Sequence, residues 1–253
     1  MSNFRHPDAT VRVRCFGVTL QSGQPTPPVL RESAAWHQLI YATRGVLTVY
    51  TDRGTWVVPP HRGVWIPAGY QYRLELSGVV ALRMLYIRPV RRTPAPSCTV
   101  VNVTPLLREL IIRTNIIGAL DTRIASQKRL IGVILDELKA LTAVPLQLPL
   151  PRDHRAARFA VLAAADPCGT SLATMFRKSG ASRRTLERVF RAETAMSLGQ
   201  WLRRRKLLHA LRRIAAGECV NTVALELGYN SSSAFIAMFR RELGETPKRY
   251  FGA

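Results

Sequence analysis

The sequence predicts an α+β protein, in which an N-terminal antiparallel β-barrel with accompanying helices precedes an all-α domain containing two helix-turn-helix motifs. Three observations predict it. Residues 36–88 are short β-branched and aromatic runs broken by turn signals, and residues 105–141 carry two stretches of helical periodicity. Beyond a proline-rich stretch, the order helix, glycine turn, serine, helix then occurs twice. The expected divisions are a barrel over 1–100, a helical region over 101–144, a linker over 145–151 and a helical domain over 152–253, with motifs at 172–191 and 220–241.

The strand signals begin at Trp36. HQLIYAT ends at Arg44-Gly45, VLTVYT at Asp52-Arg53-Gly54, TWVV at Pro59-Pro60 and VWI at Pro67-Ala68-Gly69, and YRLEL and VVALRMLYI complete the run. Short strands at that spacing make a closed or sandwiched antiparallel sheet. Thr51 to Gly54 reads as a hairpin turn. Prolines at 89, 94 and 96 mark the change to helix. Thr104-Pro105 is a helix start, with proline at the first helical position. Leu106, Leu107, Leu110 and Ile111 share one face of a helix over 105–118, and Leu130, Ile131, Ile134, Leu135 and Leu138 share one face of a second over 124–141. Such stripes pack on the barrel or pair with a second chain. Prolines 145, 149 and 151 define the linker, after which the pattern is helical throughout.

The first repeat spans a short helix from Leu172 to Lys178, a turn through Ser179-Gly180-Ala181 and a second helix opened by Ser182. The second runs to Leu227, turns through Gly228-Tyr229-Asn230 and opens its second helix near Ser231. Second helices of this motif enter the major groove. In the first repeat Leu186, Val189 and Phe190 fall inward, leaving Arg183, Arg184, Glu187, Arg188 and Arg191 outside. In the second Phe235, Met238 and Phe239 fall inward, leaving Ser232, Ser233, Ile236, Ala237 and Arg240 outside. One long helix, about Ser197 to Ala216, separates them. At 1.5 Å per residue it spans roughly 30 Å, close to the ~34 Å between successive major-groove faces. Arg203, Arg204 and Arg205 on it are candidates for phosphate contacts.

Composition points the same way. Lys and Arg number 37 against 16 Asp and Glu, a formal charge of +21, which favours a polyanionic partner; a generally arginine-rich composition is the bland alternative. Residues 151–253 carry 19 of the cations and eight of the acids, a net +11 in 103 residues against +10 in the first 150, and their cations are bunched within helical patterns. Cys15, Cys98, Cys168 and Cys219 form no C-x-x-C pair and imply neither a disulfide framework nor a zinc site. With no apolar signal region and no run long enough to span a bilayer, a cytoplasmic protein without a membrane partner is expected.

The words SRRTLERVF, GQWLRRRKLLHAL and VALELGYNSSSAFIAMFRRELGETPKRYF resemble the AraC/XylS family of transcription regulators over about residues 152 to 251. QLIYATRGVLTVYT and GTWVVPPHRGVWIPAGY look like the cupin-type barrel of one branch of that family. The resemblance implies a cupin-like domain, sequence-specific binding of double-stranded promoter DNA through both motifs, activation or repression, and a small effector in the barrel. A homodimer over direct or inverted half-sites is expected, with RNA polymerase as a candidate partner. Two residues depart from the pattern: Phe176 stands where the family has a small residue, and Ala195 where it has glycine. The first bears on how the helices of motif one cross; the second removes a residue that tolerates positive φ.

Metal-binding cupins need an H-x-H pair with further ligands. Here that region holds Glu32, Ala34 and His37, with Tyr72 where a later histidine is usual, so no metal or other cofactor is expected. No phosphate loop, nucleophile elbow or acid pair appears, and His6, His37, His61, His154 and His209 are scattered, so no enzyme is expected. Candidate effector contacts are Trp36, His37, Tyr41, Trp56, Trp65, Tyr70 and Tyr72, all of which also suit a core; they favour an apolar or aromatic ligand, with Arg73 or Arg83 as a carboxylate anchor. A cupin oxygenase or isomerase is the alternative from another class, a non-specific architectural DNA-binding protein is a second, and the barrel could serve only for dimerisation.

Overall fold

A computed structural model describes residues 10–24, 35–89, 95–144, 146–165 and 171–251. His6, Glu32, Ala34, Pro94, Pro145 and Cys168 lie outside the described residues. The described chain divides into two compact units. One holds the residues up to Asp52 and from Trp56 to Val144; the other holds Leu146 onward together with Arg53–Thr55.

The first unit is an antiparallel sheet. Strand β1 (Val11–Gln21) precedes β2 (His37–Thr51), β3 (Gly54–Val58), β4 (Arg62–Ile66), β5 (Arg73–Ile87) and β6 (Thr99–Asn102). The order is β1-β5-β2-β4-β6, extended beyond β1 by β7 (Ala119–Asp121) and beyond β6 by β8 (Ala143–Val144), while β3 returns from the Asp52-Arg53 turn to pair with β2. Three features differ from the sequence expectation. β1 lies before the first expected strand. The Arg44-Gly45 turn is instead a bulge inside one 15-residue strand, with register shifts around Arg44. YRLEL and VVALRMLYI likewise fuse into β5 through Gly78. Glycine makes the bulge: Gly45 has φ +75°, and a Cβ there would collide with the Val79 carbonyl oxygen.

Helices α1 (Pro105–Ile117) and α2 (Ala125–Lys139) cover one face of this sheet. Thr104 caps α1, accepting from the Leu107 amide at 3.0 Å, with Pro105 in the first turn. The same hydroxyl donates to Glu137 of α2 at 2.5 Å and ties the helices together. Leu107, Leu110, Ile111, Ile131, Ile134 and Leu138 pack on Val13, Cys15, Leu39, Tyr41, Trp65, Leu85 and Ile87. Leu106, expected on that stripe, is instead 52% exposed. The sheet face under the helices is therefore the odd-numbered face of β1, β5 and the first half of β2.

In the second unit, β9 (Gln147–Pro149) and buried Leu146 and Leu148 occupy the stretch expected to be an open linker. The Trp201 indole N–H donates to the Pro149 carbonyl at 2.8 Å and holds it against the helices. These are α3 (His154–Ala165), α4 (Leu172–Ser179), α5 (Arg183–Thr194), α6 (Leu198–Ala215), α7 (Val220–Glu226), α8 (Ser232–Leu243) and α9 (Pro247–Tyr250). They enclose two aromatic cores. Phe159, Phe176, Phe190 and Trp201 form the first, with successive ring centroids no more than 6.0 Å apart. Tyr229, Phe235, Phe239 and Tyr250 form the second.

Candidate nucleic-acid interface and effector site

In the first motif α4 stops at Gly180, which takes the left-handed conformation at φ 71° and donates back to Arg177, while Ala181 donates to Phe176. Ser182 then caps α5, accepting from the Thr185 amide at 3.2 Å. Leu186, Val189 and Phe190 are buried, so Arg183, Arg184, Arg188 and Arg191 stand exposed on the opposite side. Glu187 differs from these four. Half-buried, it accepts from the Leu198 amide at 3.2 Å and lies 4.0 Å from Arg183 Nε, so it fastens the corner between α5 and α6. Phe176 stacks on Phe159 with rings 15° apart, which absorbs its extra bulk into the core. Ala195, ending α5, adopts the left-handed conformation at φ 56° without the glycine that makes it cheap.

The second motif repeats the construction. Gly228 turns the chain at φ 76°, Lys206 Nζ donates to the Leu227 carbonyl at 2.7 Å, and Ser231 caps α8 by accepting from the Ala234 amide at 3.1 Å. Phe235, Met238 and Phe239 point inward. Ser233, Ala237 and Arg240 are exposed, and Ser232 and Ile236 are half-buried beside them. Between the motifs, α6 opens on a reciprocal cap between Ser197 and Gln200 and runs 18 residues, roughly 27 Å.

One expected cation on α6 is elsewhere. Arg205 is 6% exposed and donates to the Ala163 carbonyl, because its position on the helix faces the packed side; it is a core residue rather than a phosphate contact. Arg203 is exposed and Arg204 half-buried. Both line a cleft of about 350 Å³ with Arg241, Glu242, Met196 and Met238, and burial holds the Arg204 pKa below its usual value. At the far end of α6, Arg213 pairs with Glu218 and Glu226, bracing the start of the second motif. Those acids and Glu187 were outside the reach of face counting, since their partners lie on other helices.

In the first unit, strand parity sorts the effector candidates. Tyr41 and Trp65 belong to the core beneath the helices, where Trp65 donates its indole N–H to the Ala95 carbonyl at 3.0 Å. His37 lies 5.3 Å from the Trp65 ring, and its Nδ1 accepts from the Ala68 amide at 2.9 Å. It thereby pins the Pro67-Ala68-Gly69 turn, and burial lowers its pKa. Trp56 is 2% exposed and Tyr70 half-buried. The anchor candidates stand apart from these: Arg73 is exposed over the Tyr50 ring, and Arg83 donates to the Leu82 carbonyl on the helix side. Trp36 and Tyr72 remain, and they bring in residues that the sequence reading missed. The Tyr72 hydroxyl donates to Gln38 Oε1 at 2.5 Å, and the guanidinium groups of Arg14 and Arg88 lie over the Trp36 ring at 5.9 and 5.5 Å. The alternation in Val11-Arg12-Val13-Arg14-Cys15 was the available signal. Among the described residues there is no cluster of His, Cys, Asp or Glu fit for a metal, and no helix long and apolar enough to cross a membrane.

Residues 22–121 match a family described as the AraC-like ligand binding domain, and residues 175–253 match a helix-turn-helix domain. A ligand-binding domain followed by a helix-turn-helix domain defines a DNA-binding transcription regulator. The HTH-type transcriptional regulator NimR of Escherichia coli K12 is 32% identical, over 97% of this chain and 89% of its own length. The chain belongs to the AraC family of transcriptional regulators. The regulatory protein SoxS of Salmonella typhimurium is 40% identical over 75 residues, 29% of this chain and 70% of its own. Among solved structures, fatty acid-bound ToxT from Vibrio cholerae aligns with 98% of this chain and 97% of its own at 11% identity, with a TM-score of 0.39.

Proposed function

We propose that this protein binds promoter DNA sequence-specifically by placing α5 and α8 in adjacent major grooves, and that a small effector held by the N-terminal unit modulates that binding. The observation that carries the reading is the pair of serine-capped helices, each with its apolar side buried, separated by an 18-residue helix whose length suits one turn of duplex. Arg183, Arg184, Arg188 and Arg191 serve the first groove, and Ser232, Ser233, Ile236, Ala237 and Arg240 the second. Arg203 and Arg204 hold phosphates between them, and Glu187 positions α6 rather than touching DNA. The sensor runs to about residue 144 and the DNA-binding domain from 152.

The protein acts in the cytoplasm, without catalysis or cofactor, as a homodimer with RNA polymerase as a downstream partner. Because the buried stripes of α1 and α2 are spent on their own sheet, a dimer surface on these helices uses exposed Leu106, Ile116, Ile124 and Val133. Genome-wide immunoprecipitation followed by titration of enriched fragments across salt concentrations tests the reading. A few promoters sharing a bipartite motif, bound far more tightly than random DNA, are expected. Diffuse enrichment, with salt weakening every fragment alike, refutes it in favour of charge-driven architectural binding.

A further inference from the structure

We propose that Glu242 is a built-in counter-charge that stands where a DNA phosphate would lie in the cleft between the two motifs, and so limits how tightly the protein holds DNA of any sequence. The proposal rests on the reading of Arg203 and Arg204 as phosphate contacts and names the residue that restrains them. Arg203 and Arg204 of α6 meet Arg241 and Glu242 of α8 in that cleft of about 350 Å³. Among the described residues that line it, Glu242 is the one acid against three arginines. The walls are otherwise uncharged, with Met196, Leu207 and Met238 among them, and the Gln200 side-chain oxygen is taken by the Ser197 amide.

Local structure gives Glu242 little reason to be acidic. It lies in the last turn of α8, where the helix dipole favours cations and disfavours a carboxylate. Its hydrogen bond is long, 3.4 Å from the neighbouring Arg241, and its side chain is 38% exposed. Its influence is instead felt across the cleft. Glu242 offsets part of the cost that burial imposes on the half-buried Arg204, and the Tyr229 hydroxyl in the turn of the second motif senses Arg241, Glu242 and Arg203 together. These charges therefore share one space. A phosphate drawn to Arg204 must come close to the Glu242 carboxylate, and like charges within a Debye length of about 10 Å repel. The arginines attract the duplex, and the glutamate takes back a share of that attraction on every sequence alike, since backbone phosphates carry no sequence information.

The test measures binding of the full chain to an enriched promoter fragment and to random duplex across salt concentrations. It compares Glu242→Gln, which keeps the shape and a hydrogen-bond acceptor, with Glu245→Gln, which removes the same charge from beside Arg249 and outside the cleft. Glu242→Gln is expected to tighten both duplexes about two- to fivefold at ~0.1 M ionic strength, the scale of one exposed charge interaction, and to steepen the salt slope by up to about 0.9. The ratio between the two duplexes should stay unchanged. Glu245→Gln should do less, and in an Arg204→Gln background the gain from Glu242→Gln should shrink, because the restrained cation is gone. Urea unfolding checks each variant, and Glu242→Ala takes over if Glu242→Gln does not fold. Unchanged or weaker binding by Glu242→Gln overturns the proposal, as does a full gain without Arg204. Equal gains from the two glutamates overturn it too, since net charge would then be the cause. If Arg203→Ala and Arg204→Gln alone leave affinity and salt slope untouched, the phosphate reading falls as well.

Discussion

Replacing Ala195 by glycine should stabilise the second unit. Ala195 sits at φ 56°, ψ 19°, where an L-residue brings its Cβ against the backbone at a cost of about 1–2 kcal/mol. Glycine escapes that cost but adds about 0.4–1 kcal/mol of unfolded-chain freedom. The difference is a gain of roughly 0.5–1 kcal/mol, and the exposed methyl takes little packing with it. Gly180 provides the mirror experiment in the same motif: it has φ 71°, and a Cβ there meets nothing within 4 Å, so Gly180→Ala isolates the backbone term with opposite sign and costs about 1 kcal/mol. Urea midpoints of the full chain, followed by the helical circular dichroism signal, to which the second unit contributes seven helices, measure both; a gain of that size corresponds to a rise in Tm of roughly 1–4 °C. A lower midpoint for A195G with G180A unchanged would refute the argument, since it would mean that left-handed backbone is not what these two positions have in common.

Other expected outcomes follow from single contacts. Glu187→Ala should destabilise the corner by about 1 kcal/mol, the usual worth of a cap, while Glu187→Gln keeps an acceptor and most of the stability; lost operator specificity at unchanged stability would reassign Glu187 to base reading. Arg184→Ala should cost about 1–3 kcal/mol on the operator alone if Arg184 reads a base, whereas Arg203→Ala should weaken all sequences alike and reduce the salt slope by about 1. His209 is held at about pKa 4 by burial and by Arg212, Arg213 and Arg205, against the opposing charge of Glu218. Its folded pKa lies below the unfolded value, so the unfolded state binds more protons and stability falls as pH drops from about 6.5 to 4; His209→Gln should flatten that part of a urea-midpoint profile.

How much of this was legible depended on whether the signal was local. Caps are local: Thr104, Ser182 and Ser231 each announced a helix start that the hydrogen bonds bear out. Inward faces of α5 and α8 followed from 3.6-residue spacing, since one apolar side had one neighbour. Arg44-Gly45 misled because glycine serves a turn and a bulge equally, and only the partner strand decides between them. Arg205 misled because three successive arginines on a helix cannot share a face, and composition does not say which is turned inward. The aromatic residues of the sheet were read as one set, but alternation splits them: Tyr41 and Trp65 lie under the helices while Arg14, over the Trp36 ring, lies opposite. Placing Arg14 beside Trp36 needed the register of β1 against β5, information carried by no single strand.

The two outer faces are also unequal, and the inequality has a consequence. α5 exposes Arg183, Arg184, Arg188 and Arg191, whereas α8 offers hydroxyl and methyl groups with Arg240 near its end. Salt acts on binding through the phosphates that cations neutralise, and a serine or alanine in the groove releases no counterion. With α5 and α8 docked as proposed, charge on α5 should set how strongly and how salt-dependently the protein holds DNA, while α8 should contribute discrimination through contacts to base edges and thymine methyl groups that salt leaves nearly untouched. The strained corner at Ala195 lies at the end of α5, the helix with the more numerous exposed arginines, so in the proposed docking relieving the strain should alter affinity on every sequence more than preference among them.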